Sequence, residues 1–315
     1  MVPRQPRLVG ATEGQGRLLD AGFAMRVLVT GAGGQLGVDL VRSCETSGDQ
    51  VTAASRADLD ISDRDAVHGA VTSLRPDVVI NCAAWTAVDA CEGDPDRAMA
   101  TNGLAVRWLA EGCDRVGARL VQISTDYVFD GLLDRPYQEW DGPNPQSVYG
   151  MTKLNGEREA LAMGASAAVV RTSWLCSQNG PNMVATIMRL AGQHTELAFV
   201  ADQIGHPTFT TDLAPAVRRI AVDRRSGIHH VTNQTSTSWY GFACDVVAAM
   251  GKNPDMVRPI TTAELQPPRP ARRPANSVLD NAVLRLAGMP PLRDFREPLG
   301  ETVRALQQKA ELYGN

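Results

Sequence analysis

The chain has 315 residues, enough to bury a full core and to hold one large domain or two smaller ones. Its 31 basic and 35 acidic residues are interspersed and leave a net charge of −4, so no basic footprint points to a nucleic acid partner. No apolar run approaches the ~18 residues of a membrane span. The cysteines (Cys44, Cys82, Cys91, Cys113, Cys176, Cys244) lack paired spacing, and the five histidines form no zinc pattern. Reduced thiols in the cytoplasm and no bound metal are therefore expected.

Residues 1–24 scatter Arg4, Arg7 and Arg17 among Gly, Gln and Pro without periodicity and read as a disordered leader, with Met25 as the natural start. From Arg26 the pattern alternates strand and helix. Val27–Thr30 reads as a short buried strand, followed at once by GAGGQLG and a helical run at Val38–Cys44. Glycines at Gly31, Gly34 and Gly37 permit a tight turn and let backbone amides approach a pyrophosphate at the helix N-terminus. Between a strand and a helix, that spacing is a dinucleotide-binding fingerprint.

The second strand, Gln50–Ala54, ends at Ser55-Arg56. An acidic residue near this point would read the ribose hydroxyls of NAD. A hydroxyl and a guanidinium suit a 2′-phosphate better and so favour NADPH, with NADH the alternative; Arg56 is also readable as a solvated loop arginine. Asp60-Ile61 would flank the adenine. A helix at Asp63–Leu74, a strand at Asp77–Asn81 and the small-residue segment CAAWTAVD come next, then a long helical region from Pro95 to Val116 and a strand at Arg119–Ile123. Such repeats predict an α/β fold with a doubly wound, Rossmann-like parallel sheet.

That last strand runs into Ser124-Thr125-Asp126-Tyr127, and SVYGMTK follows where a loop becomes a helix. Tyr149 and Lys153 stand four apart and share one helix face. A free phenol titrates near pH ~10, and a lysine cation beside it would draw that value toward neutrality, where acid–base chemistry works best. A hydroxyl to hold a carbonyl oxygen, a phenol to protonate it and a lysine to tune the phenol make a carbonyl-reduction set. Tyrosine and lysine one turn apart also simply pack and snorkel on helix surfaces, so the upstream glycine motif is what gives the pair weight.

After the strand at Ala167–Arg171 the β/α rhythm breaks. Pro259, Pro267, Pro268, Pro270 and Pro274 mark a stiff loop carrying Arg269, Arg272 and Arg273, whose guanidinium groups suit a diphosphate or simply line a solvated basic loop. His229-His230 sits in a strand-like run and reads as structural. The expected division is a cofactor domain at residues 25–171 plus 207–234, and a smaller C-terminal substrate lobe at 172–206 plus 235–315.

GAGGQLG, NCAAWTAVD, STDYVFDG and YGMTK, in this order, resemble the extended short-chain dehydrogenase/reductase superfamily. VVRTSWLC, DQIGHPTFTTDLA, GIHHVTN, SWYGFA and RRPANSVLD narrow the resemblance to the dTDP-4-dehydrorhamnose reductase family, over nearly all of Met25 to Arg304. The resemblance implies Tyr149 as proton donor, Lys153 on the nicotinamide ribose and Thr125 on the substrate's C4 carbonyl, with Asp126 nearby. It implies Gly34, Gln35 and Leu36 at the pyrophosphate, Asp60 and Ile61 at the adenine, and Ala84, Trp85 and Thr86 beside the ribose. Trp174 would contact the nucleotide sugar, or else serve as a core tryptophan.

The implied reaction is NADPH-dependent reduction of a dTDP-4-keto sugar to dTDP-L-rhamnose by a cytoplasmic monomer or homodimer. Some relatives dimerise through magnesium held by an acidic residue after the Pro-Thr of DQ-x-G-x-P-T; here no carboxylate follows until Asp212, which argues against a metal bridge. Alternatives on the same fold are another nucleotide-sugar 4-ketoreductase, an epimerase or a dehydratase. A non-catalytic NADP-binding subunit, like the regulatory partner of methionine adenosyltransferase, is a further alternative against which Thr125, Tyr149 and Lys153 together argue.

Overall fold

The computed structural model describes residues 24–313, so the reading of the first 24 residues lies almost wholly outside it. Six strands form one sheet: β1 (Arg26–Thr30), β2 (Gln50–Ala54), β3 (Val78–Asn81), β4 (Arg119–Thr125), β5 (Ala167–Thr172) and β6 (Gly227–His230). Their order is β2-β1-β3-β4-β5-β6, and every neighbouring pair is parallel. A parallel strand covered on both faces must be apolar nearly throughout. Thus β3, β4 and β5 are buried at every position, whereas edge strand β2 is largely exposed.

Helices cover both faces. On one side α1 (Gln35–Thr46) packs beside a later helix, Thr210–Val222, and Leu36, Leu40, Leu213, Val217 and Ile220 meet Val27, Ile80 and Val121 of the sheet. On the other side α2 (Arg64–Leu74) and α3 (Ala105–Val116) bury Val67, Val71, Val106 and Leu109 against Leu28, Val79 and Leu120. The doubly wound α/β architecture is therefore present. Asp63 starts α2 by accepting the amides of Asp65 and Ala66, a side-chain N-cap of the usual kind.

Three differences from the sequence reading bear on the site. First, α1 begins at Gln35, three residues earlier than the apolar run indicates, because the glycines before it form a turn and no more. Second, β4 continues to Thr125, pairing Thr125 with Thr172, so both hydroxyl residues stand on the sheet's end. Third, the long helical region is broken. A helix at Pro95–Met99 passes through a π-helical turn, Ala100–Leu104, before α3. The wider turn rotates Asn102 inward, a deformation often found beside functional sites.

A second apolar cluster lies apart from the sheet. Val184 and Ile187 of helix Met183–Gln193, Phe242 and Val246 of helix Trp239–Ala249, and Phe295, Leu299 and Val303 close it. A short parallel pair, Leu197–Val200 with Val257–Ile260, flanks it.

Candidate active site

In this strand order the chain leaves β1 in opposite directions toward β2 and β3, and a crevice opens at their C-terminal ends, the usual ligand position in such sheets. Gly31 follows β1 at φ +66°, and a Cβ there would lie 2.6 Å from the Ala83 amide after β3. At Gly37 a Cβ would run into Ala32 Cα at 2.7 Å and into the Gly31 carbonyl. Only glycine lets the turn, α1 and the β3 loop approach so closely. The Gly34 amide closes the turn on the Gly31 carbonyl at 2.9 Å, and no side chain caps α1. Its first amides therefore face the crevice as an anion site.

Two adjacent cavities occupy the crevice. The larger, about 450 Å3, is lined by Gly31, Gly34, Ser55, Arg56, Leu59, Asp60, Ile61, Ala84, Trp85, Arg97 and Thr101. The smaller, about 190 Å3, touches Gly34, Gln35, Leu36, Gly37, Ala84, Thr86, Ser124, Tyr149 and Lys153. Every residue expected at a cofactor thus borders one of two cavities whose walls share Gly31, Gly34, Cys82 and Ala84. Arg56 is the loosest: its side chain is 77% exposed, and its guanidinium reaches Asp60 only at 3.9 Å. Ser55 donates to Asp58 at 2.6 Å, holding the loop below. Asp60 accepts from Ser62, which lowers its pKa.

Helix α4 (Val148–Leu161) starts where the Ser147 hydroxyl accepts the Gly150 amide, and it brings Tyr149 and Lys153 to the groove. Both are buried, and a Cβ at Gly150 would strike the Tyr127 carbonyl. The expected tuning of Tyr149 by Lys153 is not what the geometry gives. Lys153 Nζ donates to the Ile123 carbonyl at 2.6 Å, and burial lowers its pKa to about 8, against the pull of Glu157. Burial, with the nearby Asp126 charge, pushes the Tyr149 phenol above its ordinary value, with Thr125 opposing. The phenol is accordingly held protonated, the form a proton donor needs.

Thr125 ends β4 and donates its hydroxyl to Asp126 Oδ1 at 2.8 Å, while it accepts the Tyr127 amide at 3.2 Å. Ser124 donates to Glu157 Oε1 at 2.5 Å, and Glu157 is clasped by Arg171 at 2.9 and 2.7 Å, all of it buried.

Trp174 stands across from these residues at φ +45°, stacked on Trp239 with centroids 3.6 Å apart and planes 8° from parallel. A Cβ at Gly205 would sit 2.6 Å from the indole, so the ring position is fixed from behind. Tyr127, Gln203, Arg273 and Ser277 complete the small cleft beside the two indoles. Arg273 grips both Asp89 oxygens, which holds the Asp89 carboxyl at about 2. That pairing occupies much of the fork expected at a diphosphate. Arg272 is exposed and, among the described residues, bonds only Gln146 at 3.5 Å. Asp212 is paired with Arg293 at 3.0 Å, and among the described residues no cluster of acids, His or Cys could hold a metal.

Sequence reasoning missed Asn102, Arg97, Trp239 and Ser277 as site residues. Asn102 accepts the Trp85 amide at 2.7 Å and donates to its carbonyl at 3.1 Å, fixing the loop after β3. Arg97 lies 4.2 Å above the Trp85 ring. The motif SWYGFA was visible, but nothing in it says that its tryptophan meets Trp174.

The family model described as RmlD substrate binding domain matches residues 25–308. A dTDP-4-dehydrorhamnose reductase of Streptomyces griseus is 45% identical over 291 residues, covering 90% of this chain and 95% of that protein. The solved dTDP-4-dehydrorhamnose reductase of Clostridium acetobutylicum superposes with a TM-score of 0.86 at 42% identity, over 90% of this chain and all of that one. The Bacillus anthracis reductase, solved in complex with NADP, gives 0.84 at 34% identity over 91% of this chain and all of its own. With the glycine cradle, the Tyr149–Lys153 helix and these matches over nearly its whole described length, the chain belongs to the RmlD family, the dTDP-4-dehydrorhamnose reductases.

Proposed function

We propose that the protein reduces the C4 ketone of dTDP-4-dehydro-6-deoxy-L-mannose with NADPH to give dTDP-L-rhamnose. The observation that carries the reading is a buried Tyr149 phenol one helical turn from Lys153, lining the cavity that also touches the glycine cradle. The cradle suits a dinucleotide: the Gly31–Gly37 turn and the first amides of α1 would hold its pyrophosphate, Asp60, Ile61 and Arg56 its adenosine end, and Ala84, Trp85, Thr86 and Lys153 the ribose nearer Tyr149. When bound, NADPH supplies the hydride.

The chain's own residues do the rest. Thr125 and Tyr149 orient the ketone oxygen, and Tyr149 gives its proton to that oxygen as charge develops there. Lys153 contributes a cation that survives to about pH 8. Trp174 and Trp239 offer an apolar wall for the nucleotide sugar, and Arg272 or Arg273 a cation for its diphosphate. Residues 25–171 with 207–234 serve as the cofactor domain and 172–206 with 235–315 as the substrate lobe. All these groups come from one chain, so a monomer or a homodimer serves equally. The unpaired cysteines fit a cytoplasmic setting.

NADPH oxidation with a panel of dTDP-4-keto sugars tests the reading. The highest kcat/KM is expected with the L-manno 4-ketone. Equal turnover of all the sugars, or none, would overturn it.

A further inference from the structure

Thr125 carries a single hydroxyl proton, and in this structure it points away from the reaction. The hydroxyl donates to Asp126 Oδ1 at 2.8 Å and accepts the Tyr127 amide at 3.2 Å. Asp126 is only 2% exposed, and its second oxygen, Oδ2, is buried with no hydrogen bond of good geometry among the described residues, the Ser277 hydroxyl being the polar group beside the carboxyl. A carboxylate can only accept. While Asp126 is ionised it takes the one proton Thr125 has, and Thr125 turns lone pairs toward a ketone oxygen that itself needs a donor. A protonated Asp126 reverses the bond: its O–H donates to Thr125 Oγ1, and the threonine proton is freed for the ketone.

We propose that Asp126 is a positioning residue whose proton sets the direction of the Thr125 hydroxyl, so that the neutral acid, and not the carboxylate, supports reduction. The inference rests on the reductase reading above and adds to it a donor chain, Asp126 to Thr125 to the ketone oxygen, beside the Tyr149 proton. No bond to carbon changes in this step; one proton stays shared along two hydrogen bonds, and Tyr149 still supplies the proton that the alcohol keeps.

Burial shifts the balance toward the neutral acid. Burial raises the Asp126 carboxyl to about 6, with hydrogen bonding from Thr125 and Ser277 opposing. The titratable and charged groups near it are few. From α4 come Tyr149, held protonated by burial, Lys153, and Glu157, which is clasped by Arg171. Its own turn offers Tyr127, pushed up to about 12 by burial. From the stretch before Ser277 comes Arg273, whose charge is spent on Asp89. The helix that carries Asp89 also brings the Cys91 thiol, raised by burial. Among the described residues no cation pairs with Oδ2: Lys153 is bonded to the Ile123 carbonyl and Arg273 to Asp89.

The test is the pH profile of kcat/KM for the 4-keto sugar, at NADPH concentrations that saturate throughout, so that the cofactor's own 2′-phosphate does not enter. For the wild type the account expects a decline from about pH 6, with a second fall near 8 where Lys153 loses its proton. Asp126→Asn offers Thr125 a permanent N–H donor; it should lose the limb near pH 6, keep the one near 8, and exceed wild type at pH 7.5 by roughly tenfold or more. Thr125→Val should be slow but likewise lack the lower limb, which also covers the case of an Asp126 variant that does not fold. A wild-type profile flat from pH 5.5 to 7.5, or a lower limb that survives in Thr125→Val, overturns the proposal while leaving the reductase reading intact. Absence of NADPH oxidation by the wild type at every pH would instead strike the reductase reading itself.

Discussion

Tyr149 shows how the surroundings of one side chain decide its role. In water a phenol and an ammonium four residues apart would pull the phenol toward ionisation. Here burial outweighs that pull, and Asp126 adds to the shift only while it is ionised. A donor in a reduction must begin protonated, so the raised value fits the direction of the reaction. Tyr149→Phe is expected to keep the fold and NADPH binding and to lose roughly 10²–10⁴-fold in kcat, measured by steady-state NADPH oxidation. Arg56 lies at the other extreme. It is exposed, and only a 3.9 Å contact with Asp60 restrains it. Arg56→Ala is expected to weaken NADPH by roughly tenfold and NADH scarcely at all, read from dissociation constants for both. Residue types at fixed spacing, such as Tyr149 and Lys153, were legible in the sequence because helix geometry alone brings them together. The 2.8 Å bond from Thr125 to Asp126 was not, because it depends on how β4 ends and on what buries it.

At the scale of elements, α4 is the piece that brings Tyr149 and Lys153 to the groove, as the proposed chemistry requires, and it is locked to the sheet from beneath. Glu157, one turn after Lys153, receives the Arg171 fork and the Ser124 hydroxyl in a fully buried cluster joining α4 to β4 and β5. Breaking a buried pair from one side leaves the other charge uncompensated and typically costs about 3–5 kcal/mol. Glu157→Gln keeps the shape and one acceptor, so the expected loss is near the lower end of that range, read as a lower chemical-denaturation midpoint. The strands were legible from their apolar runs, and Asp63 was legible as a helix start. The π-helical turn at Ala100–Leu104 was not, because its sequence is compatible with an unbroken helix. The turn places Asn102 where both ends of its amide bond the Trp85 backbone, a long-range pairing that no local pattern encodes.

Over the whole molecule, the strand order puts the β1–β3 crevice beside the end of β4, so the cofactor groove and the Tyr149 phenol share one rim. The alternation of strands and helices made that sheet legible. The stack of Trp174 on Trp239 was not, because it joins a positive-φ residue to the start of a distant helix, and no local pattern encodes that meeting. The same rim separates net reduction from the other chemistry of this fold. A dehydratase needs a base for the C5 proton and an acid for the leaving hydroxyl at once. After Thr125 and Asp126 the chain has Tyr127, whose phenol burial pushes up to about 12, so it does not serve as a base near neutrality. The most direct measurement is the stoichiometry of the purified protein with NADPH and dTDP-4-dehydro-6-deoxy-L-mannose. The account predicts one NADPH oxidised for each sugar reduced at C4, and no conversion of dTDP-glucose supplied alone. Purified protein that carried bound NAD+ and converted dTDP-glucose without added cofactor would contradict it.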